Sequence, residues 1–356
     1  MEDVGPTESL PGILIKSPYS VKVEAMNPME YMKQEDPDVQ VVKGNLYLQT
    51  DDEEDLSPEV KAAFKKDIQY NVRSVLSSSR DYLEVTCSEQ QDFQFPSKDI
   101  SLDFQVPANY GVDIEVSDDA NVEVRDLEGG PIEIATDKGT CRMKNLKGSR
   151  MDVKTNGGDI ECESQLLFEF GVLDTKNKGK ISVKKLQGNE FCVETECGDI
   201  DVRATYVLRA EFTSKSGLVK LGDIHGLTEV NAKNSDIVIG STSGQLTAVT
   251  KSGNIDVNLS QHDDVTLKTQ QGDINIKSLE ESVYSELHVK SKRINIDSNV
   301  NVVIDKEDEK ENFIVMTGKV NPRENKKDGA RTIKAEAKQG TVKIEKKDWF
   351  SALKLS

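Results

Sequence analysis

Thr155-Asn156-Gly157-Gly158-Asp159-Ile160, Thr195-Glu196-Cys197-Gly198-Asp199-Ile200, Thr250-Lys251-Ser252-Gly253-Asn254-Ile255 and Thr269-Gln270-Gln271-Gly272-Asp273-Ile274 are variants of one phrase, T-x-x-G-D-I. Ser214-Lys215-Ser216-Gly217-Leu218-Val219 is a looser copy. Aligned on the turn residue, the chain reads Ala120, Gly139, Gly158, Gly179, Gly198, Gly217, Ser235, Gly253 and Gly272, at steps of 19, 19, 21, 19, 19, 18, 18 and 19 residues. Composition does not produce steps this even, so the repeat decides the fold.

Two and four residues after each turn stand apolar side chains, for example Ile160 and Cys162, Ile200 and Val202, Ile255 and Val257, Ile274 and Ile276, with polar residues between them. That alternation is the pattern of a strand with one buried face. A second strand precedes the turn, marked by Ile132 and Ile134, Val153 and Thr155, Val193 and Thr195, and Leu267 and Thr269. Further glycines, Gly129, Gly148, Gly188 and Gly226, punctuate the far side, where a bend needs a residue without Cβ. Two short strands cannot enclose a core, but stacked copies can. The expected fold is all-β, a parallel β-solenoid of about 19-residue coils. A leucine-rich repeat would need its own L-x-x-L-x-L phrase, which is absent.

The stretches Phe104-Gln105-Val106-Pro107, Gly111-Val112-Asp113-Ile114-Glu115-Val116 and Leu127-Glu128-Gly129, followed by the iterated phrase, resemble the putative-adhesin β-solenoid domain family, a family of unknown function. The resemblance spans roughly residues 100–300 and implies a fold, with no catalytic residue to carry over.

Three regions are expected. Residues 1–99 read as a β-rich capping region, with strands at Ile13–Ile15, Val21–Val23, Val39–Val42 and Leu46–Leu48, and a short helix near 57–68 opened by Ser57 and Pro58. Residues 100–300 carry the repeats. Residues 301–356 hold a charged loop insertion, a last coil around Gly340 and a C-terminal cap around Trp349 and Phe350. Caps are needed because open coils expose apolar cores and strand edges, and on that ground a monomer is expected.

The chain has 356 residues with 46 basic and 63 acidic side chains, a formal net charge of −17. Such a surface repels phosphate backbones and anionic membranes, so no nucleic-acid or membrane partner is expected. No stretch approaches the roughly 20 apolar residues of a spanning helix. Five cysteines without C-x-x-C spacing suit reduced thiols. The expected location is intracellular, cytoplasmic first, with mitochondria left open.

His225, His262 and His288 are the only histidines and read as ordinary surface residues. Cys141 and Cys162 fall at inward positions and read as small apolar fillers, while Cys197 falls in a turn. The acids after the turn, Asp159, Asp199, Asp236 and Asp273, with Asn254 among them, are candidate ligands for a hard cation. Against that, Lys180 and Leu218 interrupt the column, and Asp at corners commonly accepts backbone N–H groups. The threonine column, Thr155, Thr195, Thr250 and Thr269, is expected to bond the turn backbone rather than to act as a nucleophile. No catalytic residue, cofactor or metal is expected. Two function classes follow: a non-enzymatic scaffold for an unidentified protein partner, or a carbohydrate-binding or polysaccharide-cleaving β-helix, which would need paired carboxylates beside aromatic platforms.

Overall fold

The computed structural model describes residues 12–27, 29, 42–48, 69–75, 82–88, 100–278, 283–322 and 331–346, and apart from helical Met29 every element among them is a strand. The helix expected near 57–68, the segment Val39–Val41 and the tail around Trp349 and Phe350 lie outside the described residues. The chain divides into two compact units, Met1–Gly179 and Lys180–Ser356.

The first unit holds β1 (Gly12–Ser17), β2 (Ser20–Ala25), β3 (Lys43–Leu48), β4 (Gln69–Val75), β5 (Tyr82–Ser88), β6 (Ile100–Val106), β7 (Gly111–Val116), β8 (Val122–Arg125), β9 (Glu128–Gly129), β10 (Ile132–Thr136), β11 (Cys141–Lys144), β12 (Leu146–Thr155) and β13 (Ile160–Thr175). Two parallel rows form. One runs β5, β1, β7, β10, β12 and the end of β13; the other runs β6, β2, β8, β11 and the start of β13. Antiparallel β4 and β3 cover the outer edges at β5 and β6.

The order along these rows is not the order of the sequence. The first strands, β1 and β2, are not a cap: they form an interior coil wedged between the β5–β6 coil and the β7–β8 coil. The link from β6 to β7 therefore climbs two strand spacings, roughly 9.6 Å instead of 4.8 Å. Ile13, Ile15, Val21 and Val23 fill that gap and are buried. Among the described strands of this unit, antiparallel β3 and β4 lie outermost on this side.

The second unit holds β14 (Ile181–Thr195), β15 (Ile200–Ser216), β16 (Val219–Asn234), β17 (Ile237–Ser252), β18 (Ile255–Gln271), β19 (Ile274–Ser278), β20 (Ser285–Ile296), β21 (Val302–Lys310), β22 (Phe313–Val320) and β23 (Arg331–Lys346). Its coils are more continuous than two short strands: β14 to β18 are single runs of 15–17 residues that carry on through the corner, with register shifts there between β15 and β16 and between β17 and β18. Gly226 shows how. It has φ +85, and a Cβ there would sit 2.0 Å from the Val207 carbonyl oxygen.

The same threading recurs here. β23 lies between the coil made by the end of β18 with β19 and the coil of β20. The coil around Gly340 is thus second to last, and β20 is last, covered by antiparallel β22 and then β21. The charged stretch from Asp305, read from sequence as a loop, is mostly strand β21. It tolerates so many charges because nearly all of its side chains are solvent-exposed and its only ladder partner among the described strands is β22. Charges on an edge also discourage pairing with other chains.

The inward rows match the reading of the phrase. Ile160 in the first unit is fully buried. In the second, Ile200, Val219, Ile237, Ile255, Ile274 and Val342 pair in one continuous register and are all fully buried. Each such side chain contributes about 1.5–3 kcal/mol by leaving water.

The turn glycines are set by contact distance. A Cβ on Gly158 would lie 2.0 Å from the Gly139 carbonyl oxygen, and one on Gly272 2.0 Å from that of Gly253. Gly272 also has φ +147, a conformation that other residues rarely adopt. Gly272→Ala is expected to lower the urea midpoint by the equivalent of about 1–3 kcal/mol. Gln270→Ala, exposed in the same turn, should leave the midpoint in place.

Candidate functional site: the turn column and the corner row

The hydroxyls of the phrase are buried and spent on the turn. In the first unit Thr136 donates to the Gly139 carbonyl at 3.0 Å, Thr155 donates to that of Gly158, and Thr175 to that of Gly179 at 2.7 Å. In the second unit the Thr195 hydroxyl accepts from the Gly198 N–H at 3.0 Å, and Thr269 donates to the Gly253 carbonyl at 2.9 Å. The threonine column therefore closes turns and joins coils. It presents no free nucleophile row.

The acids after the turn also reach from coil to coil. Asp199 Oδ1 accepts the Leu218 N–H at 2.8 Å, Asp236 Oδ1 that of Asn254 at 2.7 Å, Asn254 Oδ1 that of Asp273 at 2.9 Å, and Asp273 Oδ1 that of Thr341 at 2.7 Å. In the first unit Asn121 Oδ1 does the same for Thr140 at 2.8 Å. Leu218 interrupts the acid column in sequence, yet its N–H still takes the bond. The structure places Asp159 in the equivalent turn of the first unit, where its carbonyl accepts the Cys141 N–H at 2.8 Å. The side-chain oxygens of Asp199, Asp236 and Asp273 thus supply the acceptors that turn N–H groups need where no ladder partner faces them. Among the described residues no group of three or more His, Cys, Asp or Glu is placed to hold a metal ion.

Asp199→Ala should cost about 1 kcal/mol through the unanswered N–H, while Asp199→Asn, which keeps an acceptor, should cost less than half of that. Millimolar EDTA should leave the melting temperature of the unmodified chain unchanged. A fall on chelation would show that the column holds a cation.

Cys141 and Cys162 are buried, and burial pushes the Cys141 thiol far above the ordinary range. Cys87 is also buried and is pushed up to about 11 by the same cause. Cys141 and Cys87 therefore lack the thiolate character that reactivity requires. Cys197 is exposed.

The histidines divide. His225 lies on the outer corner of the second unit, where its ring stacks on exposed Tyr206 at 4.4 Å and 15°. Lys185 of the preceding coil stands 5.0 Å from the centre of the same tyrosine ring. Leu208, beside them at a register shift between β15 and β16, is 72% exposed. His262 corrects the surface expectation: it is 3% exposed. Its Nε2 lies 2.9 Å from the Ser285 hydroxyl, bridging β18 to β20 across the start of β23. Around it Asp264 accepts the Thr332 N–H at 3.0 Å and Asp263 lies 3.8 Å from Arg331. No sequence signal marked this cluster, because its members come from strands that only the threading of β23 brings together.

Burial holds the His262 pKa below its ordinary value, and Arg331 pushes the same way, while the Ser260 carbonyl, Asp263 and Asp264 pull upward. The fold therefore favours the neutral ring, whereas the unfolded chain takes up its proton near pH 6.5. Stability from this group is complete above about pH 6.5 and is lost as pH falls through the lowered folded value. The urea midpoint should drop between pH 7 and pH 5, and His262→Gln, which keeps a partner for Ser285 but does not titrate, should flatten that part of the profile.

These features define a repeat protein whose polar columns serve the winding of its own coils. Two overlapping stretches, residues 38–221 and 172–345, match the Toastrack DUF4097 family, and the chain belongs to that family. Among solved structures, one described as a "putative cell adhesion protein" from Clostridium sporogenes is similar at 9% identity and a TM-score of 0.23, over 95% of this chain and 92% of that one. Among the described residues no helix is long and apolar enough to cross a membrane.

Proposed function

We propose that the protein is a non-enzymatic β-solenoid scaffold that presents a sheet face to a protein partner inside the cell. The observation that supports this reading is how the reactive side chains are used. Hydroxyls and several carboxylates of the phrase are committed to turn backbones within and between coils, and burial holds the Cys87 and Cys141 thiols protonated. What remains outward is a set of flat strand rows with interspersed charges, the kind of surface that binds by shape and electrostatic complementarity.

Sugar binding or cleavage is the competing class. It calls for an open aromatic face beside paired carboxylates. Tyr47, Phe170 and Tyr206 are exposed rings; at Tyr206, Lys185 and His225 stack against the face a sugar would need, which weakens that reading there. The deciding experiment is capture of the full chain with its bound proteins from the cells that make it, in parallel with a glycan array. A protein that then binds the purified chain directly, with a blank array, is the expected result. Saturable binding to a polysaccharide with no protein captured would overturn it.

A further inference from the structure

One row of lysines along the turns of the second unit is not neutralised by its own acids. Lys233, Lys251, Lys338 and Lys292 each follow directly on the residue at the threonine position of the phrase, Ala232, Thr250, Ala337 and Ser291, and all four lysines are exposed. They stand on β16, β17, β23 and β20, which with β18 are consecutive in the ladder. Thr250 pairs with Thr269, Thr269 with Ala337 and Ala337 with Ser291. The row is therefore Lys233, Lys251, Gln270, Lys338 and Lys292, and exposed Arg293 adds a cation at its end after a register shift. None of these five cations forms an ion pair among the described residues.

Like charges on neighbouring strands cost stability, and the winding does not require them. Gln270 fills the same position without charge, and one coil earlier Lys215 is paired with Glu196. The acids nearby are few. On the adjoining outward row Glu336 lies between Lys268 and Lys290, and Lys290 engages it at 3.0 Å. Beyond the turn stand Asp236 and Asp273, each with one oxygen committed to an N–H of the next coil. These positions together hold seven cations against three acids, in a chain whose net charge is −17.

The cations stand in a line, one to a coil, instead of around a point, which suits an extended ligand over a compact anion. Four ladder steps of about 4.8 Å make the row roughly 19 Å long. An extended peptide rises about 3.3 Å per residue and turns alternate side chains to one side, so about six residues span the row and set three carboxylates against it. Beside the lysines run Asn234, Ser252, Gln271 and Gln339, exposed or half-buried, which supply donors and acceptors for the main chain of such a peptide. Neither row contains a ring on which a base or a sugar would stack, and the overall charge repels a duplex. We infer that this row docks an extended acidic segment of the protein partner. The inference rests on the proposed scaffold reading and adds the chemistry of the partner and the place where it binds.

The probe is a fluorescein-labelled peptide in which Glu and Ser alternate over twelve residues, titrated with the full chain by fluorescence anisotropy. At about 50 mM NaCl it should bind with a dissociation constant on the order of 100 μM, at least fivefold weaker at about 300 mM. Replacing three cations of the row, Lys233→Gln with Lys251→Gln and Lys338→Gln, should weaken binding at least fivefold. Lys138→Gln with Lys178→Gln and Lys184→Gln removes the same charge from exposed lysines of other coils and should leave binding within twofold. Matched circular dichroism and melting curves establish that both variants fold. The inference is overturned by no saturable binding at about 1 mM, by equal losses in the two variants, or by a row that binds polygalacturonate or an oligonucleotide and not the peptide. If the peptide fails while the captured protein binds the purified chain with all three lysines of the row replaced, this inference falls and the scaffold reading stands. If only a polysaccharide binds, both fall.

Discussion

Everything in these coils depends on the approach of one turn to the next at the spacing of hydrogen-bonded strands. Parallel rungs about 4.8 Å apart leave no room for a side chain pointing along the stacking direction. The Cα of Gly272 therefore faces the carbonyl oxygen of Gly253, and that of Gly158 faces the carbonyl oxygen of Gly139, at a distance that excludes a methyl group. Once the turns are locked at this pitch, the residues two and four places later fall in inward rows, and burial of Ile and Val follows. The threonine and aspartate of the phrase answer the polar consequence of the same geometry. A tight turn exposes backbone groups that ladder pairing cannot reach, and short oxygen-bearing side chains satisfy them.

How far the sequence could be read follows from this division. Where coils succeed one another along the chain, each rung is written at a fixed offset from the last, so Ile200, Val219 and Ile237 were legible as one row. Threading has no such offset. Ile13 pairs with Leu83 and Val112, and Ile333 with Val265 and Leu287; these separations share no period, so alternation revealed strands but not their neighbours. β21 was hidden for a different reason. Its identity comes from ladder bonds to β22, and its charged side chains carry no trace of those bonds. His262 was misjudged because a histidine beside two aspartates reads as solvated until β20 and β23 are seen to close over it.

The turn acids show the limit of reading chemistry from a repeated residue. A column of carboxylates satisfies the composition of a cation site, and the sequence left that use open. Coordinates separate the uses: Asp199, Asp236 and Asp273 each direct an oxygen at a backbone N–H of the following coil. The asparagine at 254 fits the same role. An amide oxygen serves an N–H nearly as well as a carboxylate oxygen does, whereas a hard cation favours negative charge.

The wedged position of β1 and β2 bears on how the protein is made. The β1 partners Val112 and Ile114 and the β2 partners Val122 and Val124 are encoded about 100 residues downstream, so at ~5–20 residues per second a ribosome delivers those partners ~5–20 s later. Ile13, Ile15, Val21 and Val23 must wait through that interval without a completed core. β23 meets the opposite situation, arriving after both of its neighbours have been synthesised. A chain threaded in this way cannot simply wind up from one end as it emerges, because the coil of β1 and β2 closes only after β5 to β8 have been made.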